Sequence, residues 1–316
     1  MRKCLITHIS GVVPNEDLLK RGELEIILKG NSLSGKRMPS FQFTKPTVIK
    51  AINGLISAEN ANNGNKAQEL NISSVSGNMS CFADEEVRLR VENKNNLVSL
   101  YEQDNDYFAD LEIDLADLEF CKSLTKLNIG LKNTVKGSLE NIKDLPITDI
   151  YLNPETPSDL ANVKGWTLTS HATEGVSLSN VYGDISHIHT SFASNIKITV
   201  SGTKSKSIYG NLGKLGDKIQ IFVSNGSTNM NENFTWSSST VRPSSYSFIP
   251  LYNVRFATGK DVDNYLINAA SCNFDSGHDK NIIIFCTNGT RSSASDTALA
   301  TIKSNGYTVS LNGLTL

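Results

Sequence analysis

The sequence predicts a β-rich α/β protein built as a solenoid with a parallel sheet, preceded by a small β-rich N-terminal domain. Three observations point there. Short alternating strand patterns recur 23 residues apart, from Leu127 to Ile150 and again from Ile198 to Ile221. A glycine-marked corner travels with them, as Gly137-Ser-Leu139, Gly183-Asp-Ile185 and Gly210-Asn-Leu212. The chain also holds 33 Asn, 37 Ser and 22 Gly against 8 Pro, and those residues favour turns and local side-chain-to-backbone bonds.

Residues 1–66 read as a β-rich N-terminal anchor domain. Glu23–Leu28 and Thr47–Ile52 have strand composition, with Gly22, Gly30, Gly35 and Gly54 as breaks. The stretch from Glu59 to Lys66 has almost nothing to bury and reads as a linker or loop. Residues 67–316 then read as the solenoid with a C-terminal cap. An early copy of the pattern is Val75-Ser-Gly77-Asn-Met79 before Val87–Asn93. Each unit has one short strand, a corner and a return segment. One unit alone cannot bury its apolar face, whereas stacked neighbours can. Strands are expected near 125–129, 148–152, 196–200, 219–223, 282–286 and 307–311. The inward residues would be Leu127, Ile129, Ile150, Leu152, Ile198, Val200, Ile221 and Val223. Asn93, Asn153 and Asn225, each following a strand, are expected to satisfy backbone groups at the turns. The interval from Leu152 to Ile196 is irregular.

From about residue 235 the units become taller. Trp236–Ser247 is Ser/Thr-rich and reads as an insertion. Strands at Tyr252–Phe256, Asn281–Phe285 and Tyr307–Leu311 alternate with helices expected over Asp261–Ser271 and Ser295–Ser304. Val262, Leu266 and Ala269 fall on one side of the first helix, and Ala298, Leu299 and Ile302 on one side of the second. Ser293-Ala-Ser-Asp296 has capping-box spacing, and Asn305-Gly306 ends the second helix. Leu311–Leu316 reads as a terminal cap.

The strand followed by a Leu-x-Gly-x-Ile/Leu corner, over roughly residues 70 to 235, resembles leucine-rich repeats. The ending from Asn288 to Val309, with Ser295-Asp296, Ala298 and Gly306-Tyr-Thr-Val309, resembles the final repeat of leucine-rich-repeat proteins from gut Bacteroidales and their phages. Together with the β-rich head, the chain resembles a fibre-type virion protein of crAss-like bacteriophages that infect Bacteroidales. The resemblance implies a head or tail fibre or appendage located in the virion, non-enzymatic and homo-oligomeric. It would dock to other virion proteins through its N-terminal domain and present its repeats to a host surface glycan or protein. A bacterial cell-surface leucine-rich-repeat adhesin is the alternative.

Composition bounds the remaining chemistry. With 30 basic and 32 acidic residues the formal charge is −2, which gives no electrostatic case for nucleic acid or an anionic membrane. No stretch approaches the roughly 20 apolar residues of a membrane helix, and the apolar run after Arg2-Lys3 is interrupted by Thr7, His8 and Ser10, unlike a secretory signal. Five cysteines with no Cys-x-x-Cys pair make neither a disulfide framework nor a zinc site. Gly30–Lys36 fits Gly-x-x-x-x-Gly-Lys, but Arg37 stands where magnesium needs Ser or Thr, and Pro39 argues against a following helix. A glycine-rich hairpin is expected instead. Glu102, Asp104, Asp106 and Asp110 read as a solvated acidic loop, and His171, His187 and His189 as surface or core histidines. No catalytic residue, metal site or cofactor is expected.

One candidate surface remains. In a parallel sheet the residues alternating with the buried ones line the opposite face; here they are Asn128, Tyr151, Lys197, Thr199, Gln220 and Phe222. Two aromatic rings beside hydrogen-bonding side chains suit a shallow surface that stacks on sugars or anchors a protein partner.

Overall fold

The computed structural model describes residues 22–72, 79–102, 107–130, 132–169, 176–189, 196–202, 208–211, 219–223, 229–235, 254–271 and 281–316. The N-terminal region is a six-stranded sheet in the order Thr134–Lys136, Asp110–Asp114, Leu24–Lys29, Glu86–Val91, Thr47–Ile52, Glu69–Ile72. Its strands alternate strictly, so Leu24, Ile26 and Leu28 share one fully buried face with Val87, Leu89 and Val91. The other face is laced with ion pairs. Arg88 and Arg90 flank Glu25, while Lys136 and Lys29 both reach Glu112, and their hydrogen bonds hold its carboxyl below the usual carboxylate range. A smaller antiparallel sheet joins Lys36–Arg37, Met79–Phe82 and Leu55–Ala58.

This pairing departs from three expectations. No sheet boundary falls at residue 66: Leu24–Lys29 and Thr47–Ile52 both bond to Glu86–Val91, and Ser40–Phe43 bonds to Leu97–Tyr101. The segment Glu59–Lys66 is no free linker, since a one-turn helix, Glu59–Asn62, leads into Ala67, which pairs with Ile56. Nor does Val87–Asn93 begin the parallel pattern, because Glu86–Val91 lies antiparallel between two N-terminal strands. Its alternation is that of any sheet with one buried face, and periodicity alone does not distinguish the two pairings.

Parallel pairing starts with Leu97–Tyr101 and runs through Lys126–Asn128, Asp149–Leu152 and Val176–Asp184. Leu100 pairs with Leu127, Leu127 with Ile150, and Leu152 with Leu178. The expected strands at 125–129 and 148–152 are therefore present, with Leu127, Ile129, Ile150 and Leu152 fully buried. Strand Val176–Asp184, which falls in the irregular interval, then divides the ladder. Its start pairs with Ile196–Gly202, which pairs with Ile219–Val223. Its end pairs with Ile208–Asn211, followed by Asn229–Thr235, Val254–Thr258, Asn281–Asn288 and Thr308–Leu311. The C-terminal strands thus continue from Ile208–Asn211, not from Ile219–Val223. The register break lies between Leu178 and Val181, where Asn180 is left-handed (φ 55°) and its amide donates to the Pro154 and Glu155 carbonyls. The side chains of Ile198, Val200, Ile221 and Val223 lie outside the described residues.

Four short 3₁₀ helices, Leu115–Leu118, Leu139–Ile142, Leu160–Val163 and Ile185–His187, follow one another in contact, each beginning on a buried Leu or Ile. Asp114, Asp159 and Asp184 cap three of them by accepting from the amide two residues on, at 2.8–2.9 Å; Ser138 and Asn141 form a capping box on the fourth. The caps account for the recurring glycine. A Cβ at Gly183 would lie 2.6 Å from the Asp159 carboxylate, and one at Gly210 1.9 Å from that of Asp184, with φ of 103° and 107°. Each corner glycine leaves room for the preceding unit's cap.

Asparagines tie adjacent strands together, though Asn93 is not one of them. Asn93 takes a left-handed backbone with no side-chain cap bond, and Asn225 lies outside the described residues. Asn133 instead accepts from the Leu111 amide, and Asn312 brackets both polar groups of Cys286. Lys94 joins the antiparallel region to the first 3₁₀ helix, its buried ammonium donating to the Asp117 carbonyl at 2.7 Å.

Near the C-terminus, helix Gly259–Ala270 begins two residues earlier than expected, because Thr258 and Asp261 form the capping box. Val262, Leu266 and Ala269 are buried, and Tyr265 packs on Phe256 at 5.1 Å. In helix Asp296–Ser304 the cap differs from expectation: Ser292 accepts from Ala294, while Ser295 is buried and donates to Asp263. Asn312-Gly313 turns the last strand into an antiparallel hairpin with Leu314–Thr315. Cys81, Cys121 and Cys286 are free and buried; burial pushes the first two thiols up to about 11 and about 12. Cys4 and Cys272 lie outside the described residues. Among the described residues no helix is long and apolar enough to cross a membrane.

Candidate functional site

The registers place Asn128, Tyr151, Thr199 and Phe222 of the expected strip in one cross-strand row, and Lys197 and Gln220 in an adjacent one. Ser40 pairs with Tyr101, Tyr101 with Asn128, Asn128 with Tyr151, and Tyr151 with Ser177. Ser177 pairs with Thr199, and Thr199 with Phe222. A second row, two residues earlier on each parallel strand and two later on the antiparallel Ser40–Phe43, holds Gln42, Ser99, Lys126 and Asp149, and Lys197 pairs with Gln220. For Lys197, Thr199, Gln220 and Phe222 only the backbone register is described. The opposite face of these strands carries Phe41, Leu100, Leu127 and Ile150, all in the core.

Among the described residues both rows are less open than the sequence suggests. Asn128 is only 7% exposed, Asp149 2% and Ser177 5%, while Tyr101 and Tyr151 are half-buried. The Oδ1 of Asn128 is buried with no hydrogen-bond partner, an arrangement that costs free energy and is uncommon in folded proteins. Three members, Ser40, Tyr101 and Ser177, were missed from sequence. Tyr101 follows Leu100 as Tyr151 follows Ile150, and that shared dipeptide was the available signal; Ser177 lies in the irregular interval and had none.

The row's ends are firmly held. Glu102 donates its amide to the Asn128 carbonyl at 2.8 Å, and Ile129 to that of Tyr151 at 2.7 Å. The Glu102 side chain is fully buried rather than part of a solvated loop: Oε2 accepts from the Gly130 amide and the Asn133 side chain, with the Lys132 ammonium 3.8 Å from Oε1. Asp110 remains largely exposed, and Asp104 and Asp106 lie outside the described residues.

The Gly30–Lys36 loop lines a cleft of about 410 Å³ together with Lys29, Asp110 and Lys132. Four of its amides are already used. Gly30, Leu33 and Gly35 donate to the Glu85, Ala83 and Cys81 carbonyls, and Lys36 to Leu33. Strand Lys36–Arg37 follows, so the loop opens a strand and not a helix whose N-terminus could face a phosphate. Lys29 is bound by Glu112, and Lys132 lies beside Asp110 and Glu102. Millimolar ATP is therefore expected to leave the melting temperature unchanged, and Lys36→Ala to fold normally. An ATP-dependent rise abolished by Lys36→Ala would contradict this. His187 is half-buried with Nδ1 unpartnered, His189 is exposed, and His171 lies outside the described residues. Among the described residues no group of three or more His, Cys, Asp or Glu is placed to hold a metal ion.

Comparison with protein-family models, with curated proteins and with solved structures finds no match to this chain.

Proposed function

We propose that this chain is a non-enzymatic structural protein of a phage virion, a head or tail fibre or appendage with a leucine-rich-repeat-like solenoid. In this reading the N-terminal region docks to other virion proteins and the row through Tyr101, Asn128 and Tyr151 faces the host or a neighbouring subunit. The observation that carries it is the parallel ladder whose partners Leu100, Leu127 and Ile150 are spaced like repeats, with a run of capped 3₁₀ helices in mutual contact. Stacking of this kind turns a short chain into an extended binding surface. The resemblance of residues 288–309 to the closing repeat of phage and Bacteroidales proteins supplies the virion setting, and homo-oligomerisation follows from that resemblance.

Mass spectrometry of purified particles, followed by cryo-EM for symmetry, tests the reading. The chain is expected as a stoichiometric virion component. Its absence from particles, together with recovery from bacterial surface fractions, would overturn the reading in favour of a cell-surface adhesin.

A further inference from the structure

From the row geometry we infer that Tyr101, Asn128, Tyr151 and Ser177 form a seat for one unit of a neutral glycan, with Asn128 Oδ1 accepting a sugar hydroxyl. This deepens the recognition role proposed above and rests on it only for the ligand's origin. Asn128 alternates with the core residues Leu127 and Ile129, so its amide belongs to the face opposite the core. Its Oδ1 is buried and unpartnered. A buried acceptor without a donor is a standing cost, and it is removed when a ligand brings the donor. Beside it on either strand stands a half-buried tyrosine, Tyr101 and Tyr151. Strands lie about 4.8 Å apart, so the backbone positions of the two tyrosines lie about 10 Å apart with Asn128 on the strand between them. Aromatic faces and a hydroxyl acceptor are what a pyranose ring needs, with its C–H face on a ring and its hydroxyls toward amide or carboxylate oxygens.

Charge narrows the class. The row Ser40, Tyr101, Asn128, Tyr151, Ser177 carries no formal charge, and in the adjacent row Lys126 lies directly opposite Asp149. No excess of cation awaits an acidic sugar or a phosphate. An extended peptide could also donate an amide, but strands add to sheet edges, whereas Asn128 lies on a strand bonded on both sides, by Leu97–Tyr101 and by Asp149–Leu152.

The test uses the full chain and saturation-transfer NMR with cellotetraose, maltotetraose, mannotetraose and xylotetraose, and with tetragalacturonate and a (Gly-Ser)₄ peptide as controls. At least one neutral saccharide is expected to receive saturation. Asn128→Leu and Tyr151→Ser should each weaken that binding at least tenfold. Asn128→Leu should at the same time melt no lower than wild type, because it removes an unpaired buried acceptor. No transfer to any neutral saccharide, transfer only to the acidic sugar or peptide, or unaltered binding by both variants would overturn the inference. So would a lowered melting temperature in Asn128→Leu, which would make Asn128 a structural residue. Presence of the chain in particles without sugar binding would sink the glycan seat alone. Sugar binding by a chain absent from particles would sink the virion reading alone.

Discussion

Deleting residues 1–66 is expected to abolish cooperative folding of the remainder. The deletion removes Leu24–Lys29 and Thr47–Ile52, the two neighbours of Glu86–Val91, and Ser40–Phe43, the antiparallel neighbour of Leu97–Tyr101. Val87, Leu89, Val91, Leu97, Leu100 and Leu111 are at most 1% exposed in the intact chain. Losing burial of these six at about 2 kcal/mol each forfeits about 12 kcal/mol, comparable with the entire net stability of an ordinary domain. The Lys94 ammonium would lose its buried setting beside the Asp117 carbonyl as well. Thermal unfolding followed by circular dichroism checks this: the fragment should be insoluble or melt without a cooperative transition. A soluble fragment melting as sharply as the whole chain would show that the parallel region stands alone. The proposed docking to a particle is therefore better probed by surface substitutions within residues 22–114 than by truncation.

Gly259→Ala is expected to destabilise the C-terminal region by about 3 kcal/mol, the upper range for forcing atoms into a packed site. A Cβ there would lie 1.9 Å from the Thr290 carbonyl oxygen and 2.8 Å from its carbon. Backbone cannot rotate away as a side-chain tip can, so helix Gly259–Ala270 must lift from the loop that follows Asn281–Asn288. That loop is held by Asp263, which accepts from the Ser292 amide at 3.0 Å, its hydroxyl at 2.7 Å, and the Ser295 hydroxyl at 2.5 Å. Lifting the helix breaks this buried set. Gly165→Ala is the control, since its nearest neighbour would be the Lys143 carbonyl at 3.9 Å, and its cost should stay within about 0.5 kcal/mol. Denaturant unfolding of both variants measures the difference. Equal midpoints would contradict the packing of the helix on the Thr290 loop.

The parallel strands were legible where apolar residues alternate beside a corner glycine, as at Leu127, Ile150 and Ile221. The reason for the glycine was not. It depends on an Asp from the preceding unit, Asp159 for Gly183 and Asp184 for Gly210, and that partner becomes visible only once the units are stacked. Strand direction was equally hidden. Val87-Arg-Leu89-Arg-Val91 alternates as well as Ile219-Gln-Ile221-Phe-Val223, yet one lies between antiparallel neighbours and the other pairs in parallel, because alternation reports one buried face and not the partner's direction. Of the candidate surface, Asn128 and Tyr151 were found from their parity with Leu127 and Ile150. The burial of Asn128 was not foreseeable, since it arises from neighbours across strands. Tyr101 was missed because Leu97–Tyr101 sits at the junction, antiparallel to one neighbour and parallel to the other.

The most direct test of the parallel stacking is the set of through-hydrogen-bond scalar couplings in the perdeuterated, isotope-labelled chain. The account predicts couplings from the Glu102 amide nitrogen to the Asn128 carbonyl carbon and from the Ile129 amide nitrogen to the Tyr151 carbonyl carbon, matching bonds of 2.8 and 2.7 Å. Amide cross-peaks should also advance in the same direction along Ser99–Tyr101, Lys126–Asn128 and Asp149–Tyr151. Couplings that connect these strands in reversed order, or join them to other partners, would contradict it.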